Sequence, residues 1–165
     1  MAANMTNQTL PGRGTDRLIA WPVLPYTPAL PTPGSLGRRA AWLALRACDS
    51  TDDLPTLGHW GAFVGVGVSQ LRGVYSRIGL RPHDARDFMR MLRALARTAG
   101  RHNQCHIELN TGDYRTDAAL FTRAGLAGTH ASVSVGPSQF VGGQSFVPTE
   151  HLFVREVEAL LRLMQ

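Results

Sequence analysis

The stretch from residue 54 to residue 83, LPTLGHWGAFVGVGVSQLRGVYSRIGLRPH, constrains the fold of this chain more than any other. Its apolar residues recur at helical spacing over residues 56–64, which predicts a short first helix. Thr56 can cap this helix, because its hydroxyl can accept a hydrogen bond from the free amides of the first turn. Gly65 is well placed to end the helix in the left-handed conformation.

A second helix is predicted to start near Gly67 or Val68 and to stop at Gly79. Its apolar residues follow the i, i+3, i+4, i+7 spacing of one helical face. These residues are Leu71, Val74, Tyr75 and Ile78. Two short helices joined by about three residues that include glycine are typical of a helix-turn-helix. The stretch therefore predicts a helix-turn-helix, with its second helix at about residues 68–78.

Further helices are predicted on both sides of this pair. Residues 35–48 form an amphipathic helix with Ser35 as its cap, and they are expected to complete a three-helix core. Residues 82–100 form a longer helix, for which Pro82 suits the first turn. Together these segments predict a three- to four-helix domain over residues 35–101.

The two ends of the chain differ from this central domain. Residues 1–34 hold six of the ten prolines, which predicts a Pro-rich arm, either disordered or docked on the body or on a partner. Residues 102–165 predict a small helical C-terminal extension, with helices over 113–124 and 149–164 and a short strand or weak helix near 137–141. The predicted fold class is therefore mainly α.

Positive charge is concentrated on the central segment. All 17 basic residues are arginine, and residues 35–101 hold eleven of them against five aspartates. Residues 102–165 hold four arginines against six acids. A basic segment around a predicted helix-turn-helix favours a polyanion as the partner.

The long helix after the predicted helix-turn-helix has arginines on one side and apolar residues on the other. The arginines of this stripe are Arg86, Arg90, Arg93 and Arg97. An arginine stripe opposite an apolar stripe is most often a solvated helix face. The alternative is that these side chains contact phosphates along a DNA backbone.

The segment TLGHWGAFVGVGVSQLRGVYSRIGLRPHDARDFMRMLRALA resembles the first helix-turn-helix subdomain of AraC/XylS-type transcription regulators. The matching features are Thr56-Leu57, Val64 to Gly67, Leu71, Tyr75, Gly79-Leu80-Arg81-Pro82 and the arginine-rich helix at 86–97. The resemblance covers about residues 35–100 and implies DNA binding by the second helix. Gly67 stands where the family usually has Ser, and residues 101–165 show no clear second helix-turn-helix. The resemblance thus implies a single DNA-binding helix-turn-helix.

In a helix-turn-helix, the second helix enters the major groove and its side chains reach base edges. Arg72 could pair with guanine, Gln70 could pair with adenine, and Val68 could touch a thymine methyl group. The predicted DNA-binding residues are Val68, Ser69, Gln70, Arg72, Ser76, Arg77, Arg81, Arg90 and Arg97. The predicted function is sequence-specific binding of double-stranded DNA in transcription regulation.

Two other classes of function compete with this prediction. Helix-turn-helix folds also serve as protein-interaction adaptors, and the glycines at 67 and 73 make the second helix less polar than a typical DNA reader. An enzyme or metal protein is disfavoured: His102, Cys105 and His106 form one close cluster, whereas zinc usually needs ligands in paired close spacings. We expect no catalytic residues, no metal and no cofactor.

Remaining expectations concern partners and location. A single helix-turn-helix buries little surface on DNA, so a homodimer through the C-terminal helix or the Pro-rich arm is a candidate. No run of about 18 apolar residues occurs, so no membrane span is expected. The N-terminus lacks an apolar signal core and only two cysteines occur, which favours a cytoplasmic location.

Overall fold

The computed structural model describes residues 34–127 and 134–164, and these residues are mainly helical, which confirms the predicted α class. The helices are α1 (Leu36–Arg46), α2 (Leu57–Val64), α3 (Val68–Arg77), α4 (Pro82–Arg97), α5 (Cys105–Glu108), α6 (Tyr114–Arg123), α7 (Pro137–Gly143) and α8 (Leu152–Leu163). Within these ranges, the only β pairing is an isolated antiparallel bridge between Arg101 and Ser134. The predicted Pro-rich arm lies outside the described residues, apart from Gly34.

The ends of α2 and α3 follow the predicted local signals. The Oγ1 atom of Thr56 accepts a hydrogen bond from His59 N–H at 3.1 Å and caps α2. Gly65 ends α2 with φ of 73°, and Gly79 follows α3 with φ of 75°. A side chain is strained in this left-handed region, so glycine is the residue that suits both positions.

Two predicted helix ends were wrong. The last helix was predicted over residues 149–164, but α8 begins at Leu152 and His151 is its cap. The Thr149 hydroxyl donates to Glu150. The long helix was predicted over residues 82–100, yet α4 stops at Arg97 and the chain turns through the exposed Ala99 at φ of 51°.

Five aromatic rings from five helices meet in the core. The ring of Phe153 lies 5.8 Å from that of Tyr75 and 5.2 Å from that of Phe88, measured between centroids. Trp60 packs on Tyr75 at 5.2 Å, and Phe140 packs on Phe88 at the same distance. All five side chains are fully buried, so helices α2, α3, α4, α7 and α8 share one hydrophobic cluster.

The two buried rings that carry a polar atom are both tied to α1. The Tyr75 hydroxyl donates to Ala40 O at 2.8 Å, and Trp60 Nε1 donates to Leu43 O at 3.1 Å. A buried hydroxyl or indole N–H without a partner is costly, so these bonds fix α2 and α3 against α1.

The boundary predicted at residue 101 does not divide this core. Helix α8 packs on α1: Gly37 faces Leu152, where an added Cβ would come within 2.6 Å, and the Ser35 hydroxyl donates to Glu156 at 3.3 Å. The predicted C-terminal extension therefore completes the domain. The apolar face of α8, expected as a candidate dimer contact, is buried within its own chain.

None of the helices in the described residues is long and apolar enough to cross a membrane.

Candidate nucleic-acid interface

A tight connection sets α3 against α2. Three residues separate the two helices, and Val66 N–H donates to Gly61 O at 2.8 Å. A Cβ on Gly61 would lie 2.5 Å from Val66 O, so only glycine permits this approach. The buried Leu71 side chain packs beside the same glycine. No role was predicted for Gly61, although a glycine inside a short apolar helix is a usable signal.

The side of α3 turned away from the core carries most of the predicted reading residues. The exposed side chains there are Ser69, Gln70, Arg72, Ser76 and Arg77. Val68 differs from the prediction: it is half-buried and packs against the core. The centre of this outer face is Gly73, where an added Cβ would meet nothing within 4 Å. The face is therefore polar at its edges and flat in the middle.

Gln70 supplies one hydrogen bond at the start of α3, where a capping side chain is absent. Gly67, at the N-cap position, has no side chain to offer the free amides of the helix. The Oε1 atom of Gln70 accepts a hydrogen bond from Gly67 N–H at 3.2 Å. This bond is the half of a capping box that a glutamine at the third helical position can supply. The amide oxygen of Gln70 is therefore engaged with its own backbone.

Three guanidinium groups around α3 are open to solvent. Arg72 and Arg77 lie on α3 and Arg81 directly precedes α4, and all three are exposed. None of them takes part in an ion pair with another described residue. These charges are available to an external anion without the loss of an internal contact.

The arginine stripe of α4 is not the solvated face that the sequence predicted. Arg90 is 4% exposed, and its guanidinium holds Asp53, with Nε to Oδ1 at 2.9 Å. Asp53 also accepts from Asn110 N–H at 3.1 Å. Arg90 therefore cannot contact a phosphate, and its predicted DNA-binding role was wrong. Through Asp53, Arg90 links α4 to the segment before α2 and to the segment after α5.

The other arginines of the stripe have internal partners as well. Arg93 is 1% exposed and donates to the carbonyl oxygens of Ser50, Thr51 and Glu108 at 2.7–3.0 Å. Burial lowers the pKa of Arg93, and these bonds compensate for its lost hydration. Arg97 is the exposed member, but its Nε donates to the Glu108 carboxylate at 2.8 Å. Arg93 and Arg97 therefore bind partners within the protein, as Arg90 does.

His151 connects the start of α8 to the end of α3. Its Nδ1 accepts from Phe153 N–H at 3.1 Å, and its Nε2 lies 2.9 Å from Ile78 O. A neutral imidazole with its proton on Nε2 satisfies both contacts. The C-terminal end of α3 is therefore held by a residue 73 positions further along the chain.

We expect His151→Ala to lower the free energy of unfolding by about 1–2 kcal/mol, because it removes both the cap and the tie to Ile78. His151→Asn should lose less than half as much, since Asn is a good N-cap but cannot reproduce the second contact. Urea unfolding of the three proteins measures both values. Equal losses in the two variants would show that the cap contributes nothing.

The predicted His and Cys cluster separates in the structure. Cys105 is buried, with its Sγ 3.5 Å from the Thr98 hydroxyl, while His106 is exposed. Burial raises the pKa of the Cys105 thiol to about 11, so the reactive thiolate is disfavoured. No group of three or more potential metal ligands occurs among the described residues.

Comparison of the chain with protein-family models, with curated proteins and with solved structures gives no match. The resemblance to AraC/XylS-type regulators therefore stays a prediction from the residues quoted for it.

Proposed function

We propose that this protein binds double-stranded DNA through α3, with α2 and α3 acting as a helix-turn-helix. The observation that carries the proposal is the outer face of α3, where Arg72 and Arg77 flank a flat centre and form no ion pair with the residues that the structure describes. Phosphates attract such charges, and a guanidinium at the edge of a helix can reach a guanine in the major groove. The tie from His151 and the bonds to α1 support the proposal, because they hold α3 rigidly.

Roles within this surface follow from the contacts. Arg72 is the residue we assign to base reading, with Ser69 and Ser76 beside it. Arg77 and Arg81 are assigned to phosphates. Gln70 would have to give up its bond to Gly67 before it could read an adenine, so its contribution to base reading is smaller than the sequence alone indicated.

Binding to duplex DNA tests the proposal directly. Sequences bound from a random duplex pool are selected first, and affinity for the selected duplex is then measured by anisotropy at two salt concentrations. We expect Arg72→Ala to weaken binding to this duplex by about 1–3 kcal/mol and to leave random DNA nearly unaffected. Arg81→Ala should weaken binding to both and reduce the salt slope by about one. Arg162→Ala, near the C-terminal end of α8, controls for the change in net charge. Absence of binding at low salt would overturn the proposal.

Gly73 offers a second test, in which stability and binding move in opposite directions. Glycine inside a helix costs about 0.5–1 kcal/mol relative to alanine, and no described atom outside the neighbouring helix backbone lies within 4 Å of the added methyl group. Gly73→Ala should therefore raise the free energy of unfolding. If the helix backbone approaches DNA closely at this position, the same variant should bind several-fold more weakly. Unchanged DNA affinity in the stabilised variant would mean that the centre of α3 does not touch the partner.

A protein-interaction adaptor is the alternative, and one observation favours it. Phe63, near the end of α2, is 40% exposed, and aromatic side chains are enriched where proteins meet. The two functions differ in their response to salt. Binding to DNA weakens steeply as salt rises, because counterions are released, whereas an adaptor contact centred on Phe63 changes little.

A further inference from the structure

A groove lies on the side of the domain formed by α5, α6 and the residues that connect them. Its volume is about 800 Å³, within the range of about 300–1,000 Å³ that is typical of small-molecule sites. The aliphatic and phenyl side chains of the lining are those of Leu109, Ala118, Phe121, Leu126 and Ala127. The groove is separate from the outer face of α3, because no residue of α2, α3 or α4 lines it.

Two carboxylates stand in this groove without a cation. Asp113 caps α6 and Asp117 follows one turn later, where it accepts from the Thr111 hydroxyl at 2.5 Å. The hydrogen bond from Arg115 N–H and that from the Thr116 hydroxyl lower the pKa of Asp113, so it is ionised at neutral pH. Neither carboxylate forms an ion pair with another described residue.

No arginine is among the described residues that line the groove, although the chain has 17 arginines and a net charge of +5. Other acids of the domain that lie near α4 each have a guanidinium partner. These pairs are Asp53–Arg90, Asp84–Arg123, Asp87–Arg123 and Glu108–Arg97. The groove is therefore a locally negative site on a positive protein, and its complement is a cation.

An aromatic residue at the rim adds to this character. Tyr114 is 84% exposed and lines the groove at the first position of α6, next to Asp113. Phe121 also lines the groove and is half-buried. An exposed ring beside a carboxylate attracts an organic cation through both its face and the neighbouring charge.

We propose that the groove between α5 and α6 binds a small organic cation with an apolar body. The apolar body lies on Leu109, Phe121 and Leu126, and the cationic head lies between the Asp117 carboxylate and the Tyr114 ring. An inorganic cation would leave the apolar lining without a partner, and an anion would be repelled by both carboxylates. The proposal concerns a second site, and it stands whether or not α3 binds DNA.

Titration of the full chain with three probes tests the proposal. The probes are benzyltrimethylammonium, the neutral N,N-dimethylbenzamide and the anionic phenylacetate, each followed by ¹H–¹⁵N NMR up to about 20 mM at constant ionic strength. We expect the cation to shift the amide signals of α6 and of residues 109–113, with at least about tenfold higher affinity than the neutral probe. Phenylacetate should leave those signals unchanged.

Matched variants locate the site. Tyr114→Ala, at an exposed position, should weaken binding of benzyltrimethylammonium about two- to fivefold, and Asp117→Asn should weaken it by at least about threefold. Asp52→Asn removes one exposed negative charge elsewhere and should leave the affinity unchanged. Equal affinity for the neutral probe, absence of groove shifts, or an equal loss in Asp52→Asn would each overturn the proposal. None of these readouts involves DNA, so failure here is distinct from failure of the proposed function.

Discussion

Phe153→Ala should destabilise the entire domain by about 3–5 kcal/mol, the loss typical of an aromatic ring removed from a packed core. Phe153 is fully buried and its ring touches those of Tyr75 and Phe88, which lie on α3 and α4. Its removal leaves a cavity where three helices meet. Because small domains are only about 5–15 kcal/mol stable, this loss is a large part of the total. Equilibrium unfolding in urea, followed by tryptophan fluorescence and circular dichroism, measures it.

The control for this variant lies on the same helix. Leu163 is 73% exposed near the end of α8, so Leu163→Ala should change the free energy of unfolding by no more than about 0.5 kcal/mol. Both optical signals should report one transition in the unaltered protein. If Phe153→Ala instead produced two transitions, with the central helices unfolding at the original urea concentration, the C-terminal segment would be a separate extension, as the sequence predicted.

Local signals explain why the ends of α2 and α3 could be predicted. A cap such as Thr56, or a left-handed glycine such as Gly65, acts on backbone groups within four residues of itself. Its effect can therefore be read from the neighbouring letters. The outer face of α3 follows from the same local periodicity, which is why Arg72 and Arg77 are exposed as expected. Gly61 acts over a similarly short range, since its role concerns the backbone oxygen of Val66, five residues away.

Contacts distant in sequence account for the features that could not be predicted. The helical period places Arg90 on one side of α4, but it does not say what covers that side. The partner, Asp53, lies 37 residues earlier in the chain. Phe140 and Phe153 pack on Phe88 of α4 across still longer gaps in the sequence, and periodicity alone cannot identify their partners. The groove with Asp113 also depends on how α5 and α6 are placed, which no motif indicates.

The buried ion pair of α4 gives the second large prediction. Asp53→Ala should lower the free energy of unfolding by about 3–5 kcal/mol, because it leaves the Arg90 guanidinium buried without a counter-charge. It also removes the acceptor for the amide N–H groups of Leu54 and Asn110. Arg97→Met breaks an exposed pair and should cost no more than about 1 kcal/mol. Thermal and urea unfolding of both variants measure the difference.

A double variant separates the charge from the lost acceptor. Asp53→Ala combined with Arg90→Met removes both buried charges, so it should recover part of the loss caused by Asp53→Ala alone. The part that is not recovered measures the two backbone amides left without an acceptor. Arg90→Met also tests the internal role that the structure gives to Arg90. Because Arg90 binds Asp53 inside the protein, the variant should affect stability and leave the salt dependence of DNA binding unchanged. A reduced salt slope with unchanged stability would contradict this internal role.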